Sequence, residues 1–192
     1  MEAFRDSLRV GANILEMDIQ VTKDRKFVVF HDQNLKRLCG VDARIKDFNY
    51  CQLPTHKKIV QLDESSYGMK LDTQLLYGDR KLKFPLLEDV FNEFTGVPIN
   101  VELKSPDDES IEELCNLIEK FERKEITVTG CLKKSVAKDF SKKNNEIKLF
   151  LSLPRGFLLL ISFFFGWLPF FQIQEKYLLF PMYTLAIKTL VA

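Results

Sequence analysis

Between Leu15 and Val21 the chain reads Leu-Glu-Met-Asp-Ile-Gln-Val, apolar at every odd position and Glu, Asp or Gln at every even one. Side chains alternate across a strand, so this run predicts one apolar face and one face with two carboxylates two residues apart. Ile99–Lys104 repeats the parity: Ile99, Val101 and Leu103 are apolar, while Asn100, Glu102 and Lys104 are polar. A strand buried in a parallel sheet is usually apolar on both faces. Two strands that each carry a polar row depart from that pattern, and the departure marks where chemistry is to be sought.

The segments around these strands predict the architecture. Phe4 and Leu8 stand at i, i+4 in a short amphipathic helix over residues 2–10, which Gly11 ends. A helix that starts at the first residue, directly before the acidic strand, raises the expectation of a further element upstream. Thr22–Lys26 is a polar turn, and Phe27–Phe30 is a short buried strand that leads into His31-Asp32. Residues 33–84 have sparse apolar positions and repeated turn signals, and they read as a long excursion with little regular structure. From residue 85 the order is helix (85–94), strand (99–104), helix (to Phe121), strand (126–129), helix (133–143), strand (147–153). Such alternation predicts an α/β fold with a parallel sheet and helical crossovers. Ser105 is the expected N-cap of the second of these helices, with Pro106 behind it.

The last fifth of the chain changes character. Gly156 to Phe171 is sixteen residues without a charge, and it holds many of the 17 phenylalanines. A membrane-spanning helix needs roughly 20 such residues, and Gly166 and Pro169 interrupt this run. Arg155 before it and Trp167 near its end suit a membrane interface. The readings are a monotopic or re-entrant membrane segment, a true span, or a buried core helix. Residues 177–192 are again apolar, with Lys188 their one charge after Tyr177.

Composition narrows the function classes. With 192 residues the chain can build one sizeable core, and a net charge of +1 gives no basic field for nucleic acid. Cys39, Cys51, Cys115 and Cys131 are far apart with no CxxC pair, which fits a reducing compartment and argues against a cysteine metal site.

The acids carry the chemical argument. Glu16, Asp18 and Glu102 at matching parity would repel one another in an interior unless a cation sat among them. Oxygen-only ligation favours a hard divalent ion, Mg²⁺ or Ca²⁺. His31 beside that cation is the candidate acid/base, with Asp32 either orienting it or merely starting the turn. Lys104 shares the polar row; it either holds an anionic substrate oxygen or forms a salt bridge to Glu102 or Asp18. His56 has no partner in sequence and no assigned role.

These residues resemble the glycerophosphodiester phosphodiesterase family. The likeness runs through Glu16-Met17-Asp18, Thr22-Lys23-Asp24, Val28-Val29-Phe30-His31-Asp32, Leu35, Arg37 and Gly40. It continues in Pro85–Phe91 and Asn100-Val101-Glu102-Leu103-Lys104. Arg155-Gly156-Phe157 and Leu168-Pro169-Phe170-Phe171 are similar to the membrane-associated animal subgroup that acts as lysophospholipase D. The resemblance implies a TIM (β/α)8 barrel, here incomplete, with about strands two to six of eight. It implies residues 1–154 as the partial barrel and 155–192 as a membrane-associated segment. It also implies a divalent metal on Glu16, Asp18 and Glu102, substrate binding by Lys104 and acid/base chemistry by His31. A second family histidine, on an upstream His-Arg-Gly strand, has no counterpart here, nor have the last two strands. The expected function is metal-dependent hydrolysis of a glycerophosphodiester or lysophospholipid, impaired in so short a chain, at the endoplasmic reticulum or another intracellular membrane. The alternative is a non-catalytic membrane-associated fragment that acts as an interaction protein.

Overall fold

A computed structural model describes residues 1–57, 59–61, 70–72, 83–133 and 135–178. The helices are α1 (Glu2–Arg9), α2 (Lys36–Cys39), α3 (Leu87–Glu93), α4 (Asp108–Lys120), α5 (Ala137–Lys143) and α6 (Leu153–Phe164). The strands are β1 (Leu15–Val21), β2 (Phe27–Val29), β3 (Ile59–Gln61), β4 (Lys70–Asp72), β5 (Ile99–Leu103), β6 (Thr127–Gly130) and β7 (Lys148–Leu149). A five-stranded sheet runs in the order β2-β1-β5-β6-β7, and β3 and β4 form a separate antiparallel pair. β1, β5, β6 and β7 are mutually parallel; β2 folds back antiparallel on β1. An isolated parallel bridge from Phe150 to Tyr177 continues the series past β7.

The odd positions of β1 and β5 drive this assembly. Leu15, Met17, Ile19, Ile99, Val101 and Leu103 are all buried against the crossover helices. Leu87, Val90 and Phe91 of α3, and Ile111, Leu114 and Ile118 of α4, supply the facing apolar stripes. Burial of each such side chain is worth about 1.5–3 kcal/mol, so this layer holds the sheet in place. Arg123 locks one corner of it. Its guanidinium is buried and donates to the carbonyls of Phe94, Thr95 and Val97 at the end of α3, and its plane lies over the Phe91 ring.

Several local expectations shift. The N-cap of α4 is Asp107, not Ser105: its carboxylate accepts from Ser110 N–H at 2.7 Å, and Ser110 Oγ accepts from Asp107 N–H at 2.9 Å. The reciprocal pair between Asp107 and Ser110 closes a capping box there, so the helix starts two residues later than expected. The strand expected over 147–153 keeps only Lys148–Leu149, because α6 already starts at Leu153 with Pro154 in its first turn. The excursion over 33–84 holds more structure than its sparse apolar content suggests. α2, 3-10 turns at Ile45–Asp47 and Tyr50–Gln52, and the β3–β4 pair all fall in it. Leu35 and Ile45 are fully buried against Val28, Phe30 and Phe84, and these contacts hold the start of the excursion beside β2; residues 58, 62–69 and 73–82 of it lie outside the described residues.

Beyond β7 the chain turns its apolar side chains outward. Phe157, Leu160, Phe163, Phe164, Trp167 and Phe170 are exposed, Phe170 at 85%. On α6 only Leu159 and Ser162 are buried. Among the described residues no helix is long and apolar enough to cross a membrane. The reading of α6 as a buried core helix is overturned by this exposure. The apolar residues 179–192 lie outside the described residues.

Candidate active site

The parallel register of β1 and β5 builds the site. Asp18 stands beside Glu102 and Glu16 beside Asn100, so the two polar rows share one face of the sheet. The same register sets Gly130 of β6 next to Glu102. A Cβ on Gly130 would lie 3.1 Å from the ring of Phe150, so a side chain there would press on the aromatic that lies over this face.

Lys104 joins the acids. Its Nζ donates to Asp18 Oδ1 at 2.8 Å and to Glu102 Oε2 at 2.9 Å. The other Glu102 oxygen, Oε1, accepts from Leu132 N–H at 3.2 Å. Desolvation pushes the Asp18 carboxyl above its ordinary range, and the hydrogen bond from Lys104 opposes the shift. Desolvation and then the Asp18 charge raise Glu16, although one side of Glu16 stays open to solvent. Burial would lower the Lys104 ammonium, but its hydrogen bonds to Asp18 and Glu102 prevail and hold it above its usual value. One register row from this cluster, Asn100 is buried, and neither heteroatom of its side chain has a hydrogen-bond partner among the described residues.

His31 reaches the cluster from the end of β2. Its Nε2 lies 4.0 Å from Asp18 Oδ2, and its Nδ1 lies 3.0 Å from Asp32 Oδ1. Arg37 grips Asp32 with two bonds, Nε to Oδ2 at 2.7 Å and Nη2 to Oδ1 at 3.0 Å. Burial opposes ionisation of Asp32, yet Arg37 and His31 outweigh it and hold the carboxyl below its ordinary value. An ionised carboxylate only accepts hydrogen bonds, so Nδ1 donates to Asp32 while Nε2 faces Asp18. Asp32 therefore orients His31, which decides between its two sequence readings. Gln20 adds support by donating from Nε2 to the Asp32 carbonyl at 3.1 Å.

Sequence reasoning assigns no site role to Gln20 or Arg37. Gln20 continues the polar row of β1, which was a usable signal; the contact of Arg37 with Asp32 needs α2 to be in place. His56 packs its ring on Phe84, 4.6 Å between centroids, away from the acids.

The donor set suits a hard divalent cation: oxygen ligands only, with Asp18 and Glu16 held up by desolvation that a dication would relieve. As arranged, the ammonium of Lys104 stands between Asp18 and Glu102. Among the described residues no three His, Cys, Asp or Glu side chains are gathered around a common point.

With this geometry in view, the comparisons with known proteins are direct. The pattern of the Glycerophosphoryl diester phosphodiesterase family matches residues 1–155, and the chain belongs to that family. It is similar to human lysophospholipase D GDPD1, 35% identical over 188 residues, 98% of this chain and 58% of the relative. The fold matches the glycerophosphoryl diester phosphodiesterase domain of a Mycobacterium tuberculosis protein with a TM-score of 0.67 at 11% identity, over 86% of this chain and 59% of that one. It also matches an Oleispira antarctica phosphodiesterase in complex with the product sn-glycerol-3-phosphate, TM-score 0.57 at 18% identity, over 78% and 57%. The sheet is thus an α/β sheet of the family's barrel type, and the chain spans about 58% of the human relative.

Proposed function

We propose that this chain carries the core of a phosphodiesterase site for glycerophosphodiesters or lysophospholipids. The observation that supports it is the Asp18–Lys104–Glu102 cluster, with Asp18 and Glu102 at one register position and Nε2 of His31 4.0 Å from Asp18. In this reading the mutually parallel β1, β5, β6 and β7 belong to strands two to six of an eight-stranded barrel, while β2, antiparallel to β1, is not one of them. Glu16, Asp18 and Glu102 would hold a divalent cation, Mg²⁺ or Ca²⁺. Such an ion, when bound, supplies Lewis-acid polarisation of phosphoryl oxygen.

The chain's own side chains carry the remaining steps. Lys104 turns its ammonium from the two carboxylates toward a non-bridging phosphoryl oxygen. Asp32 and Arg37 fix the His31 ring so that Nε2 takes a proton from the attacking water or returns one to the leaving alcohol. His31 is the one histidine at the cluster among the described residues, and a single imidazole serves one of those two proton transfers well. Turnover by residues 1–192 is therefore expected to be weak. The assay measures release of the head-group alcohol from a lysophospholipid and from glycerophosphocholine with Mg²⁺ or Ca²⁺. Detectable release that Asp18→Asn removes supports the reading; release indifferent to Asp18, Glu102 and His31 sinks it.

A second reading is favoured by the exposed apolar side chains of residues 157–170: a non-catalytic, membrane-bound interaction protein. α6 has 12 residues, about 18 Å at 1.5 Å per residue, against roughly 30 Å of bilayer hydrocarbon, so it would lie in one leaflet. No acid occurs from Leu153 to Phe171, and Arg155 is turned to Glu175 and the Phe171 ring. Flotation with phosphatidylcholine liposomes, without any turnover, would favour this reading over the first.

A further inference from the structure

The ammonium of Lys104 sits where the Asp18 and Glu102 carboxylates converge. Its Nζ is 2.8 Å from Asp18 Oδ1 and 2.9 Å from Glu102 Oε2. The β1–β5 register holds those two acids side by side. These are also two of the carboxylates suited to a hard divalent cation. A dication that takes the same oxygens as ligands and an ammonium hydrogen-bonded to them cannot share the position. Each claims the same lone pairs, and like charges at contact distance repel.

The surroundings decide which group can yield. Glu102 is held: the residue is buried, and its Oε1 accepts from Leu132 N–H at 3.2 Å. The Lys104 backbone is held too, its N–H donating to the Ile19 carbonyl at 3.1 Å. The methylene stem of Lys104 is the flexible part, and its rotamers carry the ammonium without moving the backbone. Lys104 follows the last residue of β5 and lines the cleft in front of His31, about 1090 Å³ in volume. An ammonium displaced from the acids therefore has an adjoining space to enter, and His31 lines that space as well.

We propose that Lys104 is a built-in competitor for the divalent cation: ammonium and cation exclude each other at Asp18 and Glu102, so cation binding drives Lys104 into the cleft before His31. The proposal rests on the phosphodiesterase reading above. It makes the inward Lys104 a brake on cation affinity. It also orders events, because the lysine becomes available to a phosphoryl oxygen once the cation has taken its place. By linkage, an anionic diester that holds Lys104 in the cleft strengthens cation binding.

The test is calorimetric titration of the 192-residue chain with Mg²⁺ and with Ca²⁺, without substrate. Lys104→Met should bind the cation at least about tenfold more tightly than the unaltered chain. Lys104→Arg, which keeps a positive charge at the acids, should stay within about threefold of it. A lysine that merely braces the acids predicts the opposite sign, since its loss would loosen the ligands. A second measurement needs no variant: brief acetylation of the unaltered chain, with and without saturating Mg²⁺, read by peptide mass spectrometry. Acetylation of Lys104 should rise several-fold with the cation, relative to Lys142, which is exposed on α5. Equal or weaker cation binding by Lys104→Met, or Lys104 acetylation indifferent to the cation, overturns this inference. The phosphodiesterase reading then stands if Asp18→Asn abolishes the binding. Binding that survives Asp18→Asn, or no binding by either the unaltered chain or Lys104→Met, overturns both.

Discussion

The inner face of β1–β5 and the outer face of α6 invert the usual rule in opposite senses. In the sheet, Asp18, Glu102 and Lys104 are charged yet mostly withdrawn from water, and each is answered by a partner within 3 Å. On α6, Phe157, Phe163 and Phe164 are apolar and exposed among the described residues. The first arrangement costs desolvation and recovers it by pairing; the second leaves an apolar patch in water, which marks an interaction surface. The cost in each region is local, and the core between sheet and helices carries the fold for both.

The contrast breaks most sharply at the acids. Asp18→Asn or His31→Ala should lower whatever phosphodiester turnover the chain has by about 10²–10⁴-fold, read from initial rates at saturating Mg²⁺. The same substitutions should leave liposome flotation unchanged. Flotation that falls with Asp18→Asn would mean the two regions are not separate.

Lys104→Met tests the pairing rather than the chemistry. It strands two withdrawn carboxylates, and urea denaturation should show a loss of about 3 kcal/mol. Partial recovery in Lys104→Met/Asp18→Asn would show that the loss comes from the uncompensated charge. A single loss under about 0.5 kcal/mol would mean that the pair contributes little.

The histidine support gives a pH signature. Asp32 titrates below its ordinary value in the folded chain because of Arg37 and His31. A carboxyl depressed by folding binds fewer protons folded than unfolded across that window. Its stabilisation is therefore complete above the ordinary carboxylate pKa and is lost as pH falls through the lower folded value. Asp32→Asn should flatten the acid limb of the stability profile and reduce His31-dependent turnover. An acid limb identical to that of the unaltered chain would show that Asp32 is not anchored in this way.

The smallest stability effect belongs to α6 and the 3-10 turn at Leu168–Phe170 that follows it. Replacing Phe157, Phe164 and Phe170 with serine should change the unfolding free energy within about ±0.5 kcal/mol per site, because these side chains bury little. Liposome binding should fall strongly. A large destabilisation would show that the patch is covered within the folded protein.

Some of this was legible without coordinates because strand periodicity is local. Alternation at Leu15–Val21 and Ile99–Lys104 revealed both polar rows, and the β1–β5 register then put them on one face. The crossover helices and the apolar run of 156–171 were legible for the same reason. Other features depended on contacts between distant parts. Asp107 rather than Ser105 caps α4 through its reciprocal bonds with Ser110. Leu35 and Ile45 are buried only because Val28, Phe30 and Phe84 are there to receive them.

The sequence by itself thus determined the chemistry available: three carboxylates and a lysine at one parity, and a histidine with an acid beside it. Tertiary structure decided how those groups are used. Register between β1 and β5 put Asp18, not Glu16, beside Glu102, and folding put Lys104 between them. The position of α2 brought Arg37 to Asp32, and that contact assigns the His31 proton to Nδ1. Parity is a property of one strand, whereas register, burial and ion pairing exist only between segments that folding has brought together.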